Sequence, residues 1–239
     1  MTTPVSRLRL RPAALSLLAV LPLALAACGS DDSGDSPSSQ ASTPPGSSAP
    51  ATGVTAAAAE CPPEAGTEQR TTSFPAAPPM CLKPGADYSA RVTTDAGAFT
   101  VDLLENKAPN TVNNFVFLAR NHFYDGIAFH RVIPGFMIQG GDPQGTGSGG
   151  PGYEFPDELP AAGEYAVGSM AMANAGPDTN GSQFFVVTGP NGVSLPPQYS
   201  LFGTVTEGME TVKKIEADGS QAGTPATKHT IQKVEVTQK

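Results

Sequence analysis

Residues 129–142 read FHRVIPGFMIQGGD, and residues 172–185 read MANAGPDTNGSQFF. Each couples a short apolar, strand-like run to residues that favour turns, so together they describe strands joined by tight connections. What dominates both is a dense set of apolar and amide side chains around one arginine, Arg131. Taken singly, Phe136, Met137, Phe185 and, further along, Leu195 read as ordinary core, because apolar residues in strands usually are. Arg131 and Gln139 alternate about the apolar residues, however, at positions that the outer surface of a sheet could display. The set therefore reads as a surface groove rather than as core, with Gly140 and Gly141 structural.

Outward from these stretches, the chain from Tyr88 alternates through Ser-Ala-Arg-Val-Thr-Thr, turns at 95–97 and resumes as Phe-Thr-Val-Asp-Leu, the pattern of a hairpin. Pro109 opens a helix in which Val112, Phe115, Val116 and Ala119 fall at helical spacing, with Gly126 beyond its end. Strand-like runs follow at 128–133, 136–139, 167–173, 184–188 and 200–206. A second helix over 208–217 puts Met209, Val212 and Ile215 on one face, and a last alternating strand spans 230–236. Many short strands with only two helices predict a mainly β domain, an antiparallel barrel or sandwich with helical caps, and argue against alternating parallel units.

Other motifs fail on context. Residues 145–150, GTGSGG, fit the spacing G-x-G-x-x-G, but Pro151 follows at once and no strand-helix-strand unit surrounds them. They read as a mobile loop where backbone can approach another chain closely. Ser182 lacks the strand-turn-helix elbow of a nucleophilic serine. The three histidines, His122, His130 and His229, are scattered without metal-ligand spacing and are expected to be structural. No metal or other cofactor is implied.

The two opening stretches closely resemble the signature segments of the cyclophilins, the cyclosporin-binding peptidyl-prolyl cis/trans isomerases, and the resemblance runs from about Tyr88 to Lys239. It implies an eight-stranded antiparallel β-barrel closed at each end by a helix, with a groove on its outer surface that takes proline-containing polypeptides. Carried over by position, it makes Arg131, Phe136 and Gln139 the catalytic set. It makes Met137, Ala173, Asn174, Ala175, Gln183, Phe185, Leu195 and Tyr199 the substrate contacts. Leu195 and Tyr199 belong to LPPQYSLFG over 195–203; many members carry histidine where this chain has Tyr199, and tyrosine there looks like a bacterial variant. The tryptophan that eukaryotic members place just before the leucine is missing, since the chain has no tryptophan. Weak cyclosporin binding is therefore expected. A binding module of the same fold, holding proline-containing peptides as a chaperone or adhesion factor, is the alternative.

The N-terminal third reads differently. Residues 1–27 carry Arg7, Arg9 and Arg11, then an apolar stretch from Ala13 broken only by Ser16 and Pro22, and end in Leu25-Ala26-Ala27 before Cys28. That is a secretory leader pattern, about 15 apolar residues being too few to span a bilayer. Leu-Ala-Ala-Cys resembles the bacterial lipobox, which implies a lipid on Cys28 and a place on the outer face of the cytoplasmic membrane. Residues 28–59 are Ser, Pro, Ala, Gly, Thr and Asp with almost no large apolar side chain, the composition of a disordered linker. Residues 60–87 form a Pro-rich extension in which Cys61 and Cys81 favour a disulfide over two separate thiols in an exported chain. Residues 88–239 make the folded isomerase-like domain, expected to be monomeric. Losing three of 14 basic residues with the leader, against 22 acidic ones, takes the net charge from -8 to -11. An acidic chain of this kind is a poor binder of nucleic acid, and membrane contact must come from the anchor.

Overall fold

The computed structural model describes residues 60–239. The leader, Cys28 and the linker over 28–59 lie outside the described residues. The elements run β1 (Tyr88–Thr94), β2 (Gly97–Leu103), α1 (Pro109–Arg120), β3 (Arg131–Ile133), β4 (Met137–Gly140), β5 (Ser169–Met172), β6 (Phe184–Val187), α2 (Pro190–Val193), β7 (Leu201–Glu207), α3 (Met209–Ala217) and β8 (Ile231–Gln238). Among the described residues all eight strands join one antiparallel sheet in the order β3-β4-β6-β5-β7-β2-β1-β8. The sheet curls until the chain leading into β3 meets the start of β8. There Ala128 bridges Thr230, with Phe129 N–H donating to His229 O at 2.9 Å and Ile231 N–H to Ile127 O at 2.8 Å.

Side-chain alternation on β4, β6 and β5 sorts two apolar clusters onto opposite faces. Ile138, Phe184, Val186, Met170 and Met172 point inward to the main core, with Phe115, Tyr124, Phe129 and Phe202. Met137, Phe185, Val187 and Ala171 point the other way and form a second cluster with Leu201 and Tyr165. This is why β5 and β6 are buried at every position: their two faces are both covered, and continuous apolar runs replace half-polar alternation. The two stretches that define the site meet at Gly141. Its φ is +86°, a Cβ there would lie 2.3 Å from Ser182 O, and Ser182 Oγ donates to Gly141 O at 2.7 Å. Only glycine admits that approach.

The expected helices are present, and α2 is additional. It is one turn of four residues opened by Pro190, too short for apolar periodicity to show. In α1, Pro109 stands at the first position, but Ala108 supplies no side-chain cap. The cap comes from Glu158, whose carboxylate accepts from Asn110 N–H at 3.0 Å and Thr111 N–H at 2.8 Å, and also from the Asn110 amide and Thr111 hydroxyl. A carboxylate here satisfies orphan first-turn amides and faces the positive end of the helix dipole.

Every residue of α1 from Thr111 to Arg120 is buried, not the one face that periodicity marks. The other side is covered by residues 60–87, which lie along the helix as a strap. Phe74 packs edge-on to Phe117 with ring centroids 4.9 Å apart. Thr67 N–H donates to Arg120 O at 2.8 Å, Thr71 N–H to Asn121 O at 3.0 Å, and Asn113 exchanges hydrogen bonds with Cys81 N–H and Pro79 O. Cys61 and Cys81 are joined by a disulfide across a separation of 20 residues. Closing a loop of that size contributes on the order of 3 kcal/mol by chain entropy.

Replacing Glu158 by Ala should lower unfolding free energy by about 1–2 kcal/mol, the usual cost of a lost N-cap. Urea denaturation checks this: the midpoint should fall with the slope unchanged, and an unmoved midpoint would deny Glu158 that role.

Candidate functional site

The second apolar cluster forms the floor of the site. Pairing of β3 with β4 sets Arg131 opposite Gln139 and Ile133 opposite Met137, and pairing of β4 with β6 sets Gln139 opposite Phe185. On the outer face Arg131 and Gln139 therefore stand beside Met137 and Phe185, which are almost fully buried at 1% and 5% exposure. Phe136, Ala173, Leu195 and Tyr199 pack, partly buried, against this cluster. Tyr199 meets Phe185 edge-on at 5.4 Å, and its backbone is held by the Tyr165 hydroxyl, which donates to Tyr199 O at 2.7 Å and accepts from its N–H at 3.1 Å.

Above the floor lies an open depression of about 510 Å³ lined by Arg131, Met137, Gln139, Ala173, Asn174, Phe185 and Tyr199, with His130, Gly145–Gly147, Ala222–Thr224 and Lys228 completing its walls. The Arg131 side chain is exposed but restrained. Nη1 donates to Gln139 Oε1 at 3.1 Å, the guanidinium carbon sits 5.7 Å from the centre of the Phe136 ring, and Gly223 packs against the aliphatic stem. A guanidinium carries five N–H donors, so one bond to Gln139 leaves others free to meet a ligand.

A second depression of about 570 Å³ adjoins the first and shares Gln139, Gly147, Ala173 and Asn174 with it. The segment from Ser148 to Glu154 forms one wall, and Ala175, Thr179, Gly181 and Gln183 line much of the rest. A polar relay runs across both. Gln139 Nε2 donates to Gln183 Oε1 at 3.0 Å, and Gln183 Nε2 donates in turn to Gly147 O at 3.0 Å and Gly149 O at 2.9 Å. Asn174 is tied down through its side chain, which donates to Gln198 O at 2.9 Å, and Ala175 N–H donates to Thr179 Oγ1 at 2.9 Å.

The glycine-rich stretch, expected as a mobile loop, is organised around one carboxylate. Asp142 accepts from the backbone N–H groups of Gln144, Thr146, Gly147 and Gly149 at 2.6 to 3.2 Å, and from the Thr146 hydroxyl at 3.3 Å. Burial by itself would raise its pKa, but the converging amides outweigh burial and hold the carboxyl below its ordinary value. No periodicity marks Asp142 in the sequence; the one signal is a lone Asp heading a glycine run, able to gather successive amides.

Of the residues singled out from sequence, the structure gathers Arg131, Met137, Gln139, Ala173, Asn174, Phe185 and Tyr199 around the first depression and Ala175 and Gln183 around the second. Phe136 and Leu195 support the apolar floor. Cys61 and Cys81 line neither depression. The histidines divide. His122 pairs with Asp125, and His229 lies between Asp95 and Asp218, but His130 lines the arginine depression with neither ring nitrogen hydrogen-bonded. Burial lowers the His130 pKa against the opposing pull of Asp142, and Arg131 and Lys228 add to the lowering.

Comparison with known proteins agrees with this geometry. The family model for cyclophilin type peptidyl-prolyl cis-trans isomerase/CLD matches residues 89–236. Peptidyl-prolyl cis-trans isomerase-like 1 of Gibberella zeae is 47% identical over 126 residues, covering 51% of this chain and 77% of the relative. Probable peptidyl-prolyl cis-trans isomerase B of Mycobacterium tuberculosis is 42% identical over 169 residues, covering 62% of this chain and 54% of that relative. The crystal structure of a Cryptosporidium parvum cyclophilin type peptidyl-prolyl cis-trans isomerase in the presence of the dipeptide Ala-Pro superposes with a TM-score of 0.57 at 34% identity, over 62% of this chain and 98% of the other.

Because Asp142 has a depressed folded-state pKa, its contribution to stability is complete above the ordinary carboxylate value and fades as pH falls through the lower folded value. Asp142→Ala should cost about 2 kcal/mol or more near neutrality, given several charge-assisted hydrogen bonds. The gap between wild type and variant should shrink below about pH 4, and thermal melts across that range would show it. A gap that stays constant with pH would mean that the carboxylate charge is not what orders the loop.

Proposed function

The chain belongs to the cyclophilin-type peptidyl-prolyl cis-trans isomerases, and from that premise we propose that its first depression accelerates rotation about Xaa-Pro bonds, with Arg131 as the principal polar group. The observation that carries this is the placement of Arg131 and Gln139, hydrogen-bonded to each other, beside an apolar floor of Met137 and Phe185.

An Xaa-Pro bond exchanges in tens to hundreds of seconds because rotation breaks amide resonance against a barrier of about 18–20 kcal/mol. Millisecond turnover requires lowering that barrier by about 5.5–7 kcal/mol. As the bond twists, the prolyl nitrogen regains its lone pair, so a cationic donor directed at it binds the twisted state better than the planar one. Arg131 is that donor. One charge-assisted hydrogen bond is worth about 1.5–3 kcal/mol, so a further contribution is needed. A twisted amide is less dipolar than a planar one, and the floor made by Phe136, Met137, Phe185 and Leu195 favours it selectively. Gln139 and the backbone of Asn174 hold the peptide on one side while the other rotates. The residues that flank the proline extend into the adjoining depression beside Ala173, Ala175 and Gln183. Tyr199 closes the apolar end of the groove.

The cellular role follows from the N-terminal third. A leader over 1–27, a lipid on Cys28 and a linker over 28–59 would hold the domain outside the cytoplasmic membrane, where it would act as a monomer on exported proteins with proline-limited folding. The leader pattern ending in Leu-Ala-Ala-Cys and the acidic, linker-like composition after it support this reading. With serine at 194 in place of a tryptophan before Leu195, cyclosporin binding is weak.

Arg131→Ala should lower kcat/KM by about 10², the usual loss for one transition-state donor, while the thermal midpoint holds. Exchange of an Xaa-Pro peptide measured by NMR separates catalysis from binding: a pure peptide-binding module would shift resonances without speeding interconversion. Between about pH 6 and 8 the wild-type rate should be nearly flat, since a guanidinium stays protonated and burial keeps His130 neutral over most of that range. A bell-shaped profile would point to acid-base chemistry instead.

For the anchor, growth with radiolabelled palmitate should label the wild-type chain and not Cys28→Ser, which should leave the membrane fraction. Equal labelling of both would remove Cys28 as the attachment site.

A further inference from the structure

The strap over residues 60–87 meets a wall of the second depression where Phe74 lies against Pro151 and Gly152. Phe74 is the most buried large apolar side chain of the strap, at 9% exposure, whereas Leu82 is partly buried and Met80 is 54% exposed. Its ring is fixed against Phe117 of α1, and its backbone N–H donates to Pro151 O at 2.7 Å. The next residue of the wall, Gly152, has a φ of +100°, and a Cβ there would sit 2.6 Å from Phe74 O. The wall therefore lies flush on the strap, and the Ser73 hydroxyl is also within 3.2 Å of that position.

On its other side the same wall reaches across the depression. Pro151 packs over Gly181, where an added Cβ would lie 3.1 Å from the proline ring. Tyr153 donates through its hydroxyl to Asn114 Oδ1 at 2.6 Å, and Asn114 Nδ2 donates to Gly181 O at 2.8 Å. Pro151, Gly152, Tyr153 and Gly181 all line the second depression. Their spacing is thus set from two directions, by α1 through Asn114 and by the strap through Phe74. The strap is itself secured at both ends, by the Cys61–Cys81 disulfide and by the bonds from Asn113 to Cys81 and Pro79.

We propose that this disulfide-clasped strap is a specificity element, in which Phe74 acts as a positioning residue that holds the Pro151–Gly152 wall and so sets affinity for substrate residues flanking the proline. The proposal rests on the isomerase reading above and deepens it. No strap side chain lines either depression, so the effect is on where the wall stands. Arg131 lies in the other depression, and its link to the wall runs through Gln139 and Gln183 to Gly149, not through the strap, so the effect falls on KM and not on the chemical step. A peptide confined to the arginine depression is indifferent to the strap, and a longer one lying across both depressions depends on it.

The experiment uses the oxidised full chain and two peptides, one with a single residue on either side of Xaa-Pro and one with four on either side. Phe74→Ala, and separately the Cys61→Ser/Cys81→Ser pair, should raise KM for the long peptide about fivefold or more, since small misplacements of a positioned site are costly. The kcat for the long peptide and all constants for the short one should stay within error, and Phe74→Leu, which keeps an apolar plug, should recover most of the KM. Turnover of the short peptide also reports that each variant is folded. Equal losses on both peptides, or no change on either, would overturn the positioning role. A wild-type chain that accelerates neither peptide would instead sink the isomerase reading itself, together with what is built on it.

Discussion

Two-sided burial of β4, β6 and β5 is the constraint on which the rest of the molecule depends. The inward residues of these strands, Ile138, Phe184, Val186, Met170 and Met172, are part of the main core. Their neighbours in sequence, Met137, Phe185, Val187 and Ala171, floor the site. Because side chains alternate with a period of two, a one-residue slip would exchange floor for core along a whole strand. The floor is consequently as well defined as the core behind it. Catalysis by orientation and a low-polarity surface needs a platform of that kind, since its selectivity for a twisted amide depends on fixed contacts.

Polar groups are then distributed around the platform by edges and loops. Arg131 comes from edge strand β3 and meets Gln139 by register. Gln139 hands on to Gln183, and Gln183 to the carbonyls of the glycine-rich segment, whose amides are gathered by Asp142. The relay thus links an exposed cation to a loop that has few side chains of its own. Each side-chain amide in it is bonded on both sides, which lowers the cost of holding polar groups in a half-buried groove.

Support for this arrangement comes from far along the chain. Glu158 caps α1 from nearly fifty residues away in sequence, and the strap covers the face of α1 that the sheet leaves open. Lys213 and Glu216 of α3 pair with each other, and Glu216 also accepts from Gly135 N–H at 2.7 Å, fixing the turn between β3 and β4. These contacts join elements that individually carry little stability, as expected of short strands and a four-residue helix.

Sequence alone determined the strand-rich class, both longer helices and the family of side chains at the groove, because these follow from local periodicity and from contiguous residues such as 129–142 and 172–185. Pro109 and the run Val112, Phe115, Val116, Ala119 announced α1, and Arg131, Gln139 and the apolar positions between them announced one face of β3 and β4. Only the tertiary structure decided which groups complete the site and what holds it. Glu158, Asp142 as a loop anchor, His130 in the wall and Phe74 under Pro151 act through partners distant in sequence or through backbone amides, which leave no periodic trace. The short helix α2 escaped for a simpler reason: one turn offers too few positions for a period to be read. A pattern of side chains specifies which surfaces must be buried, and chain closure in space specifies against what.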